Sequence, residues 1–343
     1  MWRGLIQIVN YKLYCNMKRI LLALMVLCFS VVAHAQQKEW TTIWNGFEWL
    51  TEEGETVQAH APGFLYENGL WYMVGEDRSR PFRPDVNLYC SADLMTWTFL
   101  GKIIENGVTD HRLGRSRMIE RAKLLHCPKT GKYVVWCHWE SRDYAASEAA
   151  CFVADSVAGP YKLAWSGRPL DIKSRDCNVF VDDDGSAYFV STTEENQHLG
   201  LFRLSDDYLS VTNHVQLFPG QRREAPVIVN NGEHYFMLNS ACSGWAPNQC
   251  KYASSDKLDK GWTDLENVGD ATAYRTQAAA ILTIRGTKQT TYLYVGDRWM
   301  DPTLQESKII IFPITFEGKT CEFHYREVFD INFTTGEWRE YGK

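Results

Sequence analysis

What the sequence does without narrows it first. It has no excess of positive charge: 36 Lys and Arg face 42 Asp and Glu, a formal charge of −6. That removes the electrostatic footprint of a nucleic-acid binder. It has no long amphipathic helical pattern and no linker, so neither a helical bundle nor a pair of tethered domains is indicated. Cys-x-x-Cys and His-x-x-x-His spacings are missing, which leaves a structural zinc site without ligands. No Gly-x-Ser-x-Gly elbow marks a serine hydrolase, and no Gly-rich loop could cradle a phosphate. No apolar run is long enough to cross a bilayer comfortably.

The longest apolar run, residues 20–32 (ILLALMVLCFSVV), has 13 residues. Lys18 and Arg19 precede it and Ala33-His34-Ala35 follows it. A positive flank, a short apolar core and a small-x-small exit make residues 1–35 a secretory signal peptide, cut after Ala35. Met17 is the better start, and residues 1–16 read as an over-extended one. Bulky Leu27 before Cys28 argues against a lipoprotein. Removing residues 1–35 takes away four cations and no acid, leaving 308 residues at a charge of −10. The expected product is an acidic monomer, exported to the periplasm or the medium and not inserted in a membrane. Export permits disulfides. Yet Cys137, Cys151 and Cys177 lie in strand-like runs and read as small buried hydrophobes. Cys242 and Cys250 are the pair to watch.

What remains is rich in one kind of pattern. The chain is 45% hydrophobic and 23% charged, an ordinary globular balance, and its 13% aromatic content suits β-structure and stacking sites. Residues 63–74 are two short apolar runs joined by Asn68-Gly69, which supplies the positive φ angles of a tight hairpin. The same plan recurs at residues 122–136, 178–190, 226–238 and 279–295. Its turns fall at Gly131, Gly185, Gly232 and near Gly286, spaced 47 to 62 residues apart. Asp182-Asp183-Asp184-Gly185 lacks the downstream Glu of a calcium loop and reads as a hairpin tip. Most hairpins are followed by another alternating stretch. Five units of about four strands predict an all-β, five-bladed β-propeller over residues 36–343. A β-sandwich would not show the five-fold recurrence.

In a propeller, side chains leaving the first strand of each blade converge on a central funnel. The residues just before those strands are therefore the candidates. They are Gln58-Ala59-His60, Ile119-Glu120-Arg121, Arg175-Asp176-Cys177, Arg223-Glu224-Ala225 and Thr276-Gln277-Ala278, with Glu76 closing the second strand of the first unit. Charged residues entering buried strands are costly unless used or paired. Paired carboxylates in an aromatic-lined funnel of an exported protein point to glycoside hydrolysis. His60 could instead plug the axis, and Trp245 could be either a sugar-stacking platform or core.

These residues resemble glycoside hydrolase family 43, and within it the exo-β-1,3-galactanase branch. The likeness is carried by residues 49–76 (WLTEEGETVQAHAPGFLYENGLWYMVGE), Glu120-Arg121-Ala122-Lys123, Ser174-Arg175-Asp176 and Arg223-Glu224-Ala225-Pro226. It continues through Cys242-Ser243-Gly244-Trp245-Ala246-Pro247-Asn248 and Gly296-Asp297-Arg298-Trp299. The resemblance implies hydrolysis with inversion. Glu224 matches the general acid and Asp176 the carboxylate that tunes and orients it. Glu120 matches a binder of the terminal sugar. Glu76, His60, Tyr144, Asn196, Ser243 and Trp245 fall where the branch lines its sugar subsite, with Ser243 where Thr is usual. Most of the family has an Asp base in the first blade, and this chain has none there. The branch uses a fifth-blade Gln, matched by Gln277, either through its imidic tautomer or by positioning the water. Ala61-Pro62-Gly63 replaces the branch's usual run of glycines. Arg175 and Arg223 should face away from the funnel if the strands stay regular.

The expected activity is release of galactose from β-1,3-galactan. A family-43 α-L-arabinofuranosidase or β-xylosidase is the near alternative, and a non-catalytic glycan-binding propeller the distant one. The substrate is an oligo- or polysaccharide. No cofactor and no catalytic metal are expected, although a structural cation on the axis is possible.

Overall fold

Each recurring hairpin opens a four-stranded antiparallel sheet. A computed structural model describes residues 40–80 and 84–343; the expected signal peptide lies outside the described residues. The five sheets begin with His60–Glu67, Met118–Cys127, Ser174–Val181, Arg223–Asn230 and Gln277–Arg285, and each runs outward strand by strand in chain order. The fold is all-β, with three short 3-10 turns as its only helical elements among the described residues. No helix among them is long and apolar enough to cross a membrane.

Near-continuous burial along the inner strands gives the sheets two apolar faces, each covered by a neighbouring sheet. The first and second sheets share a cluster around Val74, Leu88, Leu124 and Val135. The second and third share Trp136, Phe189 and Phe202. The third and fourth share Val190, Leu201 and Met237, and the fourth and fifth share Phe236, Leu238, Tyr294 and Phe312. The fifth then packs on the first through Leu293, Val295, Ile311, Trp71 and Met73. The opening strands follow the same cyclic order of contact. The fold is thus propeller-like.

A sixth, three-stranded sheet was not expected. Thr41–Trp44 pairs with Val328–Ile331, which pairs with Trp338–Glu340. Its Ile43, Phe329 and Ile331 are fully buried in the cluster between the fifth and first sheets, so it covers that seam.

The turn glycines behave as expected at four hairpins, where φ lies between 66° and 93°. Gly286 is different. Its φ is not positive, and a Cβ there would come within 2.1 Å of the backbone at Thr335 and Gly336. It is a point of close approach to the sixth sheet's hairpin. All eight described cysteines are free; seven are buried and Cys242 is half-buried, so Cys242 and Cys250 are not bonded.

Candidate active site

The five opening strands share a local irregularity that builds the site. In each, pairing with the second strand slips near the start: between His60 and Gly63, Glu120 and Lys123, Ser174 and Cys177, Glu224 and Val227, and Ala278 and Ala280. Such bulges bend a strand and re-aim side chains. Ala61, Arg121 and Ala225 take left-handed backbone at these points, with φ of 49°, 53° and 51°. Non-glycine residues are held there only at a cost of order 1–3 kcal/mol each, which is typical of functional sites. The bulges turn Glu120 and Glu224 toward one cavity of about 150 Å³ that is open to solvent.

Eight of the ten residues proposed from sequence line that cavity: Glu76, Glu120, Tyr144, Asp176, Asn196, Glu224, Trp245 and Gln277. Two do not. His60 is buried below it, with Nε2 3.1 Å from Gln58 Oε1 and its ring 6.0 Å from that of Trp299. Burial, then the Arg78 charge, push its pKa down to about 3, so it is neutral. Ser243 is spent on its own loop, donating to Ala246 O at 2.6 Å and accepting from Asn248 Nδ2 at 2.7 Å. Arg223 faces away as expected, bonded to Asn239 Oδ1 at 2.6 Å. Arg175 instead reaches the cavity wall, because the third strand's bulge breaks the regular register.

Glu224 accepts from Gln277 Nε2 at 3.1 Å and from Asn196 Nδ2 at 3.4 Å. Burial, then the negative charge of Asp176, raise its pKa to about 8. It is therefore a carboxylic acid at neutral pH. Asp176 has the Arg121 guanidinium 3.8 Å away. Gln277 is bonded at both ends: Oε1 accepts from Trp299 Nε1 at 3.0 Å and Arg121 Nη1 at 3.4 Å, while Nε2 also reaches Ser240 Oγ at 3.1 Å.

Across the cavity the electrostatics reverse. Burial would raise Glu120, but the hydrogen bond and charge of His138, then Arg78, outweigh it and hold the carboxyl at about 2. His138 lies 3.1 Å from Glu120 and 3.0 Å from Glu140 through its two ring nitrogens. Burial opposes its charge, yet the two carboxylates lift its pKa to about 9, so it is an imidazolium. Glu140 in turn accepts backbone N–H groups from Ser141, Ala146 and Ser147. It thereby fixes the loop carrying Tyr144, whose hydroxyl donates to Glu120 at 2.7 Å. Arg78 pairs with Glu76 and Glu120 and lies 5.0 Å from the Trp245 ring and 5.5 Å from the Trp299 ring.

Arg78, His138 and Trp299 line the cavity and were not among the sequence candidates, and Arg121 was named only within the second blade entry. A signal existed for two of them. Arg78 follows Glu76 by two residues, and His138 precedes Glu140 by two, the spacing that shares a strand face.

Glu120, His138 and Asp176 offer ligand atoms within 4.8 Å of one another. Where the opening strands meet, the Lys123 ammonium donates to the carbonyls of Ala61, Pro62 and Ala279 at 2.8, 2.6 and 3.2 Å.

Residues 58–300 match the family model of glycosyl hydrolases family 43. The chain belongs to glycosyl hydrolase family 43. Its structure is similar to an exo-β-1,3-galactanase from Clostridium thermocellum, with 34% identity and a TM-score of 0.84 over 88% of this chain and 68% of that one. It is similar to an exo-β-1,3-galactanase from Phanerochaete chrysosporium, solved with β-1,3-galactotriose: 30% identity, TM-score 0.81, 87% of this chain and 70% of that one. A family-43 β-1,3-galactosidase with galactodeoxynojirimycin covers 83% of this chain and 99% of its own, at 29% identity and a TM-score of 0.76. No curated protein matches the chain in sequence. As a family-43 protein the chain is a glycoside hydrolase.

Proposed function

We propose that this family-43 protein is an exo-acting, inverting glycoside hydrolase that releases galactose from β-1,3-galactan. The observation that carries the reading is Glu224: a carboxyl with its pKa raised to about 8, beside Asp176, at the wall of a cavity that also holds Trp245 and Trp299. A general acid must hold its proton at working pH and lose it in the transition state. Glu224 gives that proton to the leaving glycosidic oxygen. Asp176 keeps it protonated beforehand through like-charge repulsion. Glu120, held ionised, accepts hydrogen bonds from the hydroxyls of the terminal sugar, and Tyr144 and Glu76 border the same subsite. Gln277 stands where the resemblance puts the residue that serves the attacking water. The likeness to exo-β-1,3-galactanases supports the choice of galactan.

On this reading the five four-stranded sheets are five blades, and the three-stranded sheet is a seal outside that count. The shared apolar clusters support this. The protein acts as an exported monomer, in the periplasm or outside the cell.

The test is product analysis on β-1,3-galactan beside arabinan and xylan, with the anomer followed by NMR. Galactose appearing first as the α-anomer is expected. Arabinose or xylose would replace the galactanase reading with another family-43 specificity. Glycan binding without product would make the protein a non-catalytic binder.

A further inference from the structure

A regular register would turn Arg175 away from the funnel, yet its side chain lies between loops of two neighbouring sheets. Its Nε donates to Ser147 Oγ at 3.2 Å, and its Nη2 donates to the carbonyl of Tyr144 at 3.0 Å. The same Nη2 pairs with Glu195, which also takes Lys173 Nζ at 2.6 Å. Tyr144 and Ser147 belong to the loop after the second strand of the second sheet, and Glu195 to the turn after the second strand of the third. Backbone bonds from Ser174 N to Ser147 O and from Glu194 N to Lys173 O bring both loops to the start of the strand that carries Arg175. Its planar, forked guanidinium then spans the gap between them.

The loops it joins are strained. Tyr144 and Ser147 have φ of 55° and 48°, and Glu194, Glu195 and Asn196 have 49°, 56° and 62° in succession. None is glycine, so left-handed backbone is costly at all five and persists only where surrounding contacts fix it. Each loop also carries one contact to a cavity carboxyl. The Tyr144 hydroxyl donates to Glu120 at 2.7 Å, and Asn196 Nδ2 donates to Glu224 at 3.4 Å.

We propose that Arg175 is a positioning residue that staples the Tyr144 loop to the Asn196 turn. It thereby sets the Tyr144 contact on Glu120 and the Asn196 contact on Glu224 together. Sugar binding and acid orientation then depend on one side chain that is neither the binder nor the acid. This deepens the proposed hydrolase reading and rests on it for its kinetic test, though not for its exchange test.

The exchange test follows backbone amides of the whole protein by hydrogen–deuterium exchange and mass spectrometry. In Arg175→Gln, peptides covering residues 141–147 and 194–197 should both exchange faster than in wild type, with the five opening strands unchanged. Faster exchange in neither loop, or in one alone, overturns the staple whatever the substrate. Arg175→Lys keeps the charge but cannot fork to three acceptors, so the same two peptides should loosen. Wild-type exchange in that variant would mean that charge alone suffices, against the proposal. Should Arg175→Gln loosen every sheet, the lysine variant decides. The kinetic test uses a β-1,3-linked galactobiose. Arg175→Lys should raise KM and lower kcat, each about tenfold. In a Tyr144→Phe, Asn196→Ala background the same substitution should change neither further, because its effect passes through those two residues. An undiminished effect there would mean that Arg175 acts on the substrate directly, against a positioning role. A wild-type protein that releases no galactose would end the galactanase reading and leave the exchange result standing.

Discussion

Glu120 and Glu224 stand at corresponding points of two sheets, each just before the bulge of an opening strand and each facing the same cavity. Their charge states are opposite. The difference lies largely in the residue directly across the ladder. Glu120 sits opposite His138, and Glu224 opposite Ser240. An imidazolium pinned between two carboxylates holds the first ionised, whereas a hydroxyl and an amide leave the second to burial and to Asp176. One backbone device, given two cross-strand partners, yields one ionised and one protonated carboxyl. Environments that drive two carboxyls apart in this way are the basis of the roles proposed for them.

The contrast can be broken by mutation. The largest effect belongs to Glu224→Gln, expected to lower kcat on an unactivated galactobiose by about 10²–10⁴-fold with binding preserved. Glu120→Gln should instead act mainly on KM. Steady-state kinetics paired with calorimetric binding would show it; loss of the same parameter in both variants would erase the distinction. Next comes His138→Gln, which removes the cation between buried Glu120 and Glu140, leaving Glu120 only Arg78, and should cost about 3–5 kcal/mol of folding stability, read by urea denaturation.

The two carboxyls also give stability opposite pH dependences. Glu224 has a raised pKa, so the folded state binds the extra proton, and its contribution fades as pH climbs from the ordinary carboxyl range through about 8. Glu120 has a lowered pKa, so its contribution is present above the ordinary range and is lost as pH falls through about 2. Melting temperatures of wild type, Glu224→Gln and Glu120→Gln across pH should lose the alkaline slope in the first variant and the acid slope in the second. In turnover, kcat/KM should fall above about pH 8. Asp176→Asn should bring that limb to lower pH by removing the repelling charge. The smallest effect is Ser240→Ala, which removes one neutral hydrogen bond to Gln277 and should cost only about 0.5–1.5 kcal/mol in kcat/KM.

Much of this site was readable from the chain. The hairpin spacing located the opening strands, and the polar residue before each strand pointed to the funnel. The bulges were not readable. Ala61, Arg121 and Ala225 take backbone normally left to glycine, so no residue type announced them, and a one-residue slip reverses which side chains face inward. That is why Arg175 was not expected at the wall. His138 was hidden differently: its meaning comes from Glu120, which is its partner only through strand register. The sixth sheet escaped because its pairing joins residues such as Thr42 and Asp330, 288 positions apart.

That long-range pairing sets an order of assembly. Each four-stranded sheet closes on neighbours in the chain and can form as soon as its own segment exists. Thr41–Trp44 must wait for Val328–Ile331, a loop closure across nearly the whole polypeptide and the slowest kind of contact to make. The five sheets can therefore form before the seam is closed. The strand Thr41–Trp44 stays unpaired until Val328–Ile331 is available, so the seam is sealed after the sheets it covers.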